Sequence, residues 1–198
     1  SEGNSQDISN IMWSIAAAGA FESKLYKAAV RELFRRDVKD FQHEGMKMLY
    51  HARLMQHDFD PDSKLVDVVF PDYVSELGHR AWLEQNEKTQ VSTFQERVIE
   101  TVRKLGYEPT MEQMTEDGLM SIDICIREKH IAIECDGPSH FYTNLTETMN
   151  HKTMLRNKAL ALRGWKVVAV PYYEWALEWA SGDAAVKAYM AKRLSEVE

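Results

Sequence analysis

Two short segments of alternating apolar residues, SIDICI (121–126) and IAIECD (131–136), constrain the fold of this chain more than any other feature. Only the residues REKH separate them, so the sequence predicts an antiparallel β-hairpin with a two-residue loop at Glu128–Lys129. The residues that then face each other are Arg127 and His130, Ile126 and Ile131, Ile124 and Ile133, and Ile122 and Cys135. This register gathers the isoleucines on one face, which supports it independently.

Three carboxylates meet on the opposite face of the predicted hairpin. Asp123 lies across from Glu134, and Asp136 lies on the diagonal because strand residues two apart point to the same side. Neighbouring like charges cost free energy unless a cation lies between them. Two interpretations are open: a site for Mg²⁺ or Mn²⁺ with Asp123, Glu134 and Asp136 as ligands, or a polar face at a solvated end of the sheet.

Further polar and basic residues follow the second strand. The turn at Gly137-Pro138 could bring the ring of His140 beside the carboxylates. A helix is predicted from about Lys152 to Arg163, and it places Lys152, Arg156 and Arg163 along one side. Such a basic edge suits phosphate groups. The alternative for these three residues is an ordinary solvated helix face.

The chain changes character near residue 90. Residues 1–90 show helical periodicity, with Pro61 and Pro71 as first-turn residues of two predicted helices. The polar segment 83–90 is the predicted domain boundary. Residues 91–198 begin with a capping box, Ser92 with Gln95, and continue as helix, strands, helix, strand and helix. The predicted fold is therefore α+β or α/β, with an N-terminal α-helical bundle or repeat segment before it.

Composition narrows the functional classes. The 198 residues carry a net charge of -7, whereas nucleic-acid-binding domains are usually basic. A local basic face can nevertheless act inside an acidic protein. The two cysteines, Cys125 and Cys135, form neither a disulfide framework nor a zinc-binding pattern. No apolar run approaches the roughly 18 residues of a membrane span, and no membrane partner is expected.

The segments IAIECDGPSHFY (131–142) and TMLRNKALALRGWKVVAVPYYEW (153–175) together resemble the RAP domain, an RNA-binding domain abundant in apicomplexans. The pattern is a strand that ends Glu-x-Asp-Gly-Pro-x-His-Phe, a helix that ends Gly-Trp, and a strand that ends Pro-Tyr-x-x-Trp. The matching residues are Glu134, Asp136, Gly137, Pro138, His140, Phe141, Gly164, Trp165, Pro171, Tyr172 and Trp175. The resemblance covers roughly residues 92–179.

This resemblance implies a domain context, a compartment and a set of partners for the chain. RAP domains usually follow an α-helical repeat array, so residues 1–90 are expected to be the end of such an array and residues 91–198 the RAP domain. The family acts mostly in mitochondria, or alternatively plastids, on organellar RNA. The expected roles are RNA processing, stability, translation and ribosome assembly, and the expected partners are single-stranded RNA and ribosomal or other RNA-processing proteins.

The resemblance also implies a restriction-endonuclease-like αβββαβ fold, related to the PD-(D/E)xK nucleases and especially to the very-short-patch repair endonucleases. In that alignment Asp123 and Glu134 match the two metal-binding acids, and Glu96 could match a helix glutamate. The lysine expected two residues after Glu134 is Asp136 instead. His140 or Lys152 could replace it as the group that activates water. If the domain is active, the cofactor is Mg²⁺ or Mn²⁺.

The aromatic residues complete the predicted RNA-binding set. Trp165 and Trp175 are expected in the core, whereas Phe141 and Tyr142 follow a turn and are expected to stack on unpaired bases. The residues predicted to bind RNA are His140, Phe141, Tyr142, Lys152, Arg156 and Arg163. Three functions are open: an RNA-binding module, a metal-dependent endoribonuclease with Asp123, Glu134, Asp136, His140 and Glu96 as its catalytic set, and an assembly component that docks to protein in a mitochondrial ribosome.

Overall fold

The computed structural model of the protein describes residues 4–59, 70–86 and 91–198. By its contacts the chain divides into two compact units, Ser1–Lys88 and Thr89–Glu198. Among the described residues, no helix combines the length and the apolar character needed to cross a membrane.

The N-terminal unit is helical. Its α-helices are α1 (Ser5–Ala17), α2 (Lys24–Leu33), α3 (His43–Phe59) and α4 (His79–Asn86). A π-helical turn over Val74–Gly78 leads into α4. The predicted helix at Pro61 lies outside the described residues. The interior is built from large side chains with almost no exposure, namely Met12, Tyr26, Leu33, Leu49 and Met55.

A mixed four-stranded sheet forms the centre of the C-terminal unit, all of whose residues from 91 onward are described. Its strands are β1 (Thr110–Met114), β2 (Ser121–Ile126), β3 (Ile131–Asp136) and β6 (Lys166–Pro171). They lie in the order β1-β2-β3-β6. The first two pairings are antiparallel and the pairing of β3 with β6 is parallel. A separate small hairpin consists of β4 (Phe141–Tyr142) and β5 (Leu145–Met149).

The register of the β2–β3 hairpin is the predicted one where the strands pair. Ile124 pairs with Ile133 and Ile126 with Ile131. The loop is different from the prediction, because a 3₁₀ turn over Arg127–Lys129 replaces the tight two-residue turn. It ends at His130, whose φ of 53° lies in the left-handed region. His130 therefore closes the turn through a hydrogen bond to the Arg127 carbonyl instead of facing Arg127 in the ladder.

Helices cover both faces of the sheet. They are α5 (Thr93–Lys104), α6 (His151–Leu162), α7 (Tyr172–Ser181) and α8 (Asp183–Ser195). One core cluster joins α5 and α8 to the sheet through residues such as Val98, Ile133 and Met190. On the second face Leu160 of α6 packs with Trp165, and this cluster includes Ile122, which was expected beside the other isoleucines. Along the chain the elements of this unit follow the order α5-β1-β2-β3-β4-β5-α6-β6-α7-α8.

Candidate nucleic-acid interface

The three predicted carboxylates converge, but not at a solvated sheet end. Glu134 and Asp136 have 1% and 0% of their surface exposed. The paired part of the β2–β3 ladder ends at Ile124 and Ile133, so Asp123 lies one residue beyond it. There its Oδ2 accepts a hydrogen bond of 2.8 Å from the backbone N–H of Cys135. The interpretation as a wet polar face is therefore wrong for Glu134 and Asp136.

Arg156 supplies the positive charge that compensates the buried acids. From α6 its Nη2 lies 2.7 Å from Asp136 Oδ1, and its Nε lies 3.2 Å from Glu134 Oε2. The sequence predicts Arg156 on an open basic edge that binds phosphate. Buried carboxylates attract a guanidinium much more strongly than solvent does, and a long side chain can reach them from the helix. This is why Arg156 points inward.

His140 also contacts the acid cluster, as predicted from the turn. Its Nδ1 lies 2.7 Å from Asp136 Oδ1, and its side chain keeps 30% of its surface exposed. The 3₁₀ turn over Pro138–His140 sets this position directly after β3. When Nδ1 carries the ring proton it donates to Asp136, which leaves Nε2 as an acceptor.

Burial dominates the ionisation of the cluster. Desolvation raises the pKa of Glu134 to about 8; Arg156 acts in the opposite direction, and Asp123 and Asp136 add to the rise. Desolvation also raises the pKa of Asp123, against the lowering effects of the Cys135 N–H and of Arg156. The pKa of Arg156 is raised although burial lowers it, because Glu134 and Asp136 favour the charged guanidinium. The surroundings of Glu134 therefore favour its protonated form.

The acids as arranged do not fit a divalent metal ion. Glu134 Oε1 and Asp136 Oδ2 have no hydrogen-bond partner, but the guanidinium of Arg156 already lies between the two side chains. Among the described residues, no group of three or more histidine, cysteine, aspartate and glutamate side chains has the geometry of a metal site. The arginine already supplies the positive charge that a divalent ion would bring, since its guanidinium contacts one oxygen of Glu134 and one of Asp136.

A cleft of about 500 Å³ opens beside the cluster. The N-terminal end of α5, with its N-cap, contributes Ser92, Phe94, Gln95 and Arg97, and the strands contribute Asp123 and Cys135. The remaining walls are formed by Gly137, Pro138 and His140 after β3 and by Tyr172 and Trp175 on α7. The cleft thus combines aromatic surface with an arginine, a histidine and one carboxylate of the cluster.

The aromatic walls continue to the surface. Phe94 and Trp175 have ring centroids 5.9 Å apart, and Trp175 stacks on Trp179 at 6.1 Å. Trp179 is 45% exposed, and the guanidinium carbon of Arg97 lies 4.5 Å from the centroid of its ring. This row of residues presents flat apolar faces and a cation at one opening.

The other residues predicted to belong to the site do not lie together in the structure. Phe141 is buried and packs edge-on against Tyr172 and Tyr173, so it cannot stack on a base, whereas Tyr142 is exposed as expected. Lys152 is exposed on α6. Arg163 binds Asp117 at 2.6 Å, so these basic residues do not form one open face.

The helix glutamate is also misplaced by the sequence prediction. Glu96 is exposed and does not line the cleft, whereas its neighbour Gln95 is buried there. Consecutive helix residues are rotated by about 100°, so the capping box that turns Gln95 inward turns Glu96 outward. Arg97 was not predicted from the sequence as a site residue. The signal that could have found it is its position two residues after Gln95, near the capped N-terminus of the same helix.

Residues 133–191 match the model of the RAP domain family. RAP domain-containing protein, chloroplastic, of Oryza sativa subsp. japonica is 26% identical to this chain over 172 residues. That alignment covers 85% of this chain and 26% of the relative, so the chain spans about a quarter of the relative's length. Both comparisons support the assignment of residues 133–191 to the RAP domain family. Glu134, Asp136, His140 and Arg156 lie inside the matched range, whereas Phe94, Arg97 and Asp123 precede it.

Proposed function

We propose that the C-terminal unit binds single-stranded RNA as part of an organellar RNA-metabolism factor. The RAP domain match supports RNA as the ligand class. The process in which the RNA takes part is one of processing, stability, translation or ribosome assembly. The other predicted role, an assembly component that docks to ribosomal protein, stays a prediction.

The observation that carries this proposal is the cleft beside β3. Its aromatic walls can stack on a base only when that base is unpaired, which selects single strands. Arg97 at the opening can contact the backbone phosphate next to such a base, and its contact with the Trp179 ring holds it there. An acidic protein can bind RNA at such a point because the local charge, and not the net charge of -7, acts on the phosphate.

Fluorescence anisotropy with a labelled 10-nucleotide RNA, single-stranded or annealed to its complement, tests the proposal. We expect preference for the single strand and weaker binding at higher salt. Arg97→Gln should weaken binding to all sequences about equally and lower the salt slope by about one. Arg103→Gln, at the exposed end of the same helix, removes the same charge and is the matched control. Equal loss in both variants, or preference for the duplex, contradicts the proposal.

The compartment we propose is the plastid. The rice relative is named chloroplastic, which favours the plastid over the mitochondrion, the first choice of the sequence analysis. Localisation of a fluorescent fusion of the full-length protein tests this, and a mitochondrial signal would contradict it.

The alternative function is a metal-dependent endoribonuclease with an endonuclease-like fold. The element order from α5 to β6 and the meeting of Asp123, Glu134 and Asp136 favour it. The ion pairs of Arg156 oppose it, because a guanidinium in contact with both Glu134 and Asp136 already supplies a positive charge at the place a metal ion would take. We therefore expect no cleavage of labelled single-stranded RNA in Mg²⁺ or Mn²⁺. Metal-dependent cleavage that chelator and Asp123→Ala both abolish would establish the alternative.

A further inference from the structure

We propose that the cleft selects guanine, with Asp123 as the residue that reads the base. This inference rests on the proposed RNA-binding function and adds the base that the site prefers. It follows from the position of one carboxylate within the cleft and from the chemistry of its free oxygen.

Asp123 is the carboxylate of the acid cluster that remains open to a ligand. Glu134 and Asp136 are fully buried and engaged by Arg156, whereas Asp123 is partly exposed and lines the cleft. Its Oδ2 is held by the Cys135 N–H at 2.8 Å. Within the described residues, its Oδ1 has no hydrogen-bond partner. The backbone N–H therefore holds one oxygen of the group, and the other keeps its acceptor capacity in a residue that lines the cleft.

An ionised carboxylate can only accept hydrogen bonds, and this property discriminates among bases. The Watson–Crick edge of guanine presents two adjacent donors, the N1–H and the N2 amino group. Adenine and cytosine present one amino group beside a ring-nitrogen acceptor, and uracil presents one N–H between two carbonyl acceptors. Acceptors facing a carboxylate repel it, so the expected order is guanine first, adenine and cytosine next, and uracil last.

The walls of the cleft can hold a base in that position. Phe94, Tyr172 and Trp175 provide apolar and aromatic contact, and their neighbour Arg97 lies at the opening where a backbone phosphate would pass. A volume of about 500 Å³ lies within the range of small-ligand sites. Insertion of one splayed base with readout of its Watson–Crick edge is an established mode of RNA recognition.

The test uses the whole 198-residue chain and four RNA 10-mers: oligouridine, and oligouridine with one central guanine, adenine or cytosine. Anisotropy titrations are made in EDTA, because the inference requires no metal. We expect the guanine 10-mer to bind roughly 10-fold tighter than oligouridine, the scale of a bidentate contact to a base. Asp123→Asn keeps an oxygen for the Cys135 N–H but presents an amide donor, so it should abolish the guanine preference. Glu128→Gln, in the exposed turn of the hairpin, removes the same charge elsewhere and should leave the preference intact.

The outcomes separate this inference from the proposed function. If all four RNAs bind equally, or if Asp123→Asn retains the guanine preference, the inference is wrong while the RNA-binding proposal stands. A preference that appears only with added Mg²⁺ indicates a metal-mediated contact and also overturns it. If none of the RNAs binds, the proposed function and the inference fail together.

Discussion

Burial sets the charge of Glu134. The side chain lies at the end of β3 with 1% exposure, and desolvation outweighs the attraction of Arg156 when its pKa rises to about 8. Asp123 and Asp136 add to the rise because a third negative charge would be repelled by both. When Glu134 is protonated, it carries no charge. The guanidinium of Arg156 then has only the charges of Asp123 and Asp136 to compensate, although three carboxyl groups converge there.

The raised pKa of Glu134 makes stability depend on pH. The folded pKa of about 8 exceeds the ordinary value of 4.5, so the folded state binds the proton more tightly than the unfolded state. Its contribution is fully present below about pH 4.5 and is lost as pH rises through about 8. Glu134→Gln mimics the protonated acid. We expect urea unfolding to show a variant more stable than the parent at pH 8.5, and more stable by a smaller margin at pH 5.5. A variant that is less stable at both pH values would show that the ionised form is the one stabilised.

Arg156→Met tests the compensating role of the guanidinium. It keeps much of the aliphatic length and removes the charge, so the buried acids lose their cation, and we expect a loss of about 3–5 kcal/mol in unfolding free energy. Lys152→Met, one turn earlier on the exposed face of α6, is the control and should change stability little. Equal effects of the two substitutions would show that the ion pairs of Arg156 contribute no more than a surface charge.

The sequence locates some residues of the site and misses others for definite reasons. Strand alternation places Asp123 near Glu134. The register that pairs the isoleucines of the two strands also sets Asp123 opposite Glu134. The helical spacing of Lys152, Arg156 and Arg163 predicts that they lie on one side of α6. It does not predict which residues of other segments they contact. The buried acids and Asp117 that bind two of them come from distant segments of the chain.

Among the elements, α5 has the most direct link to the cleft. Its capping box is formed as predicted: the Gln95 N–H donates to Ser92 Oγ, and the Ser92 N–H donates to Gln95 Oε1. Gln95 also donates through Nε2 to Glu112 on β1, at 2.9 Å. The cap thereby fixes the N-terminal end of α5, which carries Phe94 and Arg97, against the sheet.

Ser92→Ala should test this fixation. Loss of the cap should cost roughly 0.5–2 kcal/mol of stability, and RNA affinity should fall because the first turn frays. Thr93→Ala, the next residue, removes a hydroxyl from an exposed position and serves as the control. Thermal unfolding and anisotropy on both variants measure the two effects. Affinity that is unchanged in a destabilised Ser92→Ala protein would separate the first turn from RNA binding.

Other elements were not located from sequence because their patterns are irregular. The segment TMEQM of β1 lacks alternation, and Glu112 within it has a φ of 50°. The hairpin of β4 and β5 is short and exposed along β5, and its presence explains the error at Phe141. A residue after a turn is expected to be exposed, but here the chain re-enters a strand at once and Phe141 packs against α7.

At the scale of the whole molecule, the C-terminal unit has its own core on both faces of its sheet. We predict that residues 89–198 fold alone, unfold cooperatively and retain the RNA affinity of the 198-residue chain. Circular dichroism and anisotropy on the isolated fragment check this. If the fragment folds but does not bind RNA, the binding surface lies in the helical N-terminal unit.

The parallel pairing of β3 with β6 has a consequence for the order of folding. The connection between them contains α6, which carries Arg156, whereas the β2–β3 hairpin is local in sequence. Local hairpins form before parallel pairs that need a long crossover, so the hairpin can form while its acids are still hydrated. Desolvation of Glu134 is then a late event. Stopped-flow measurements at pH 8.5 should show that Glu134→Gln slows unfolding and leaves the refolding rate nearly unchanged. A change in pH would thus alter the lifetime of the folded state and leave the refolding rate nearly unchanged.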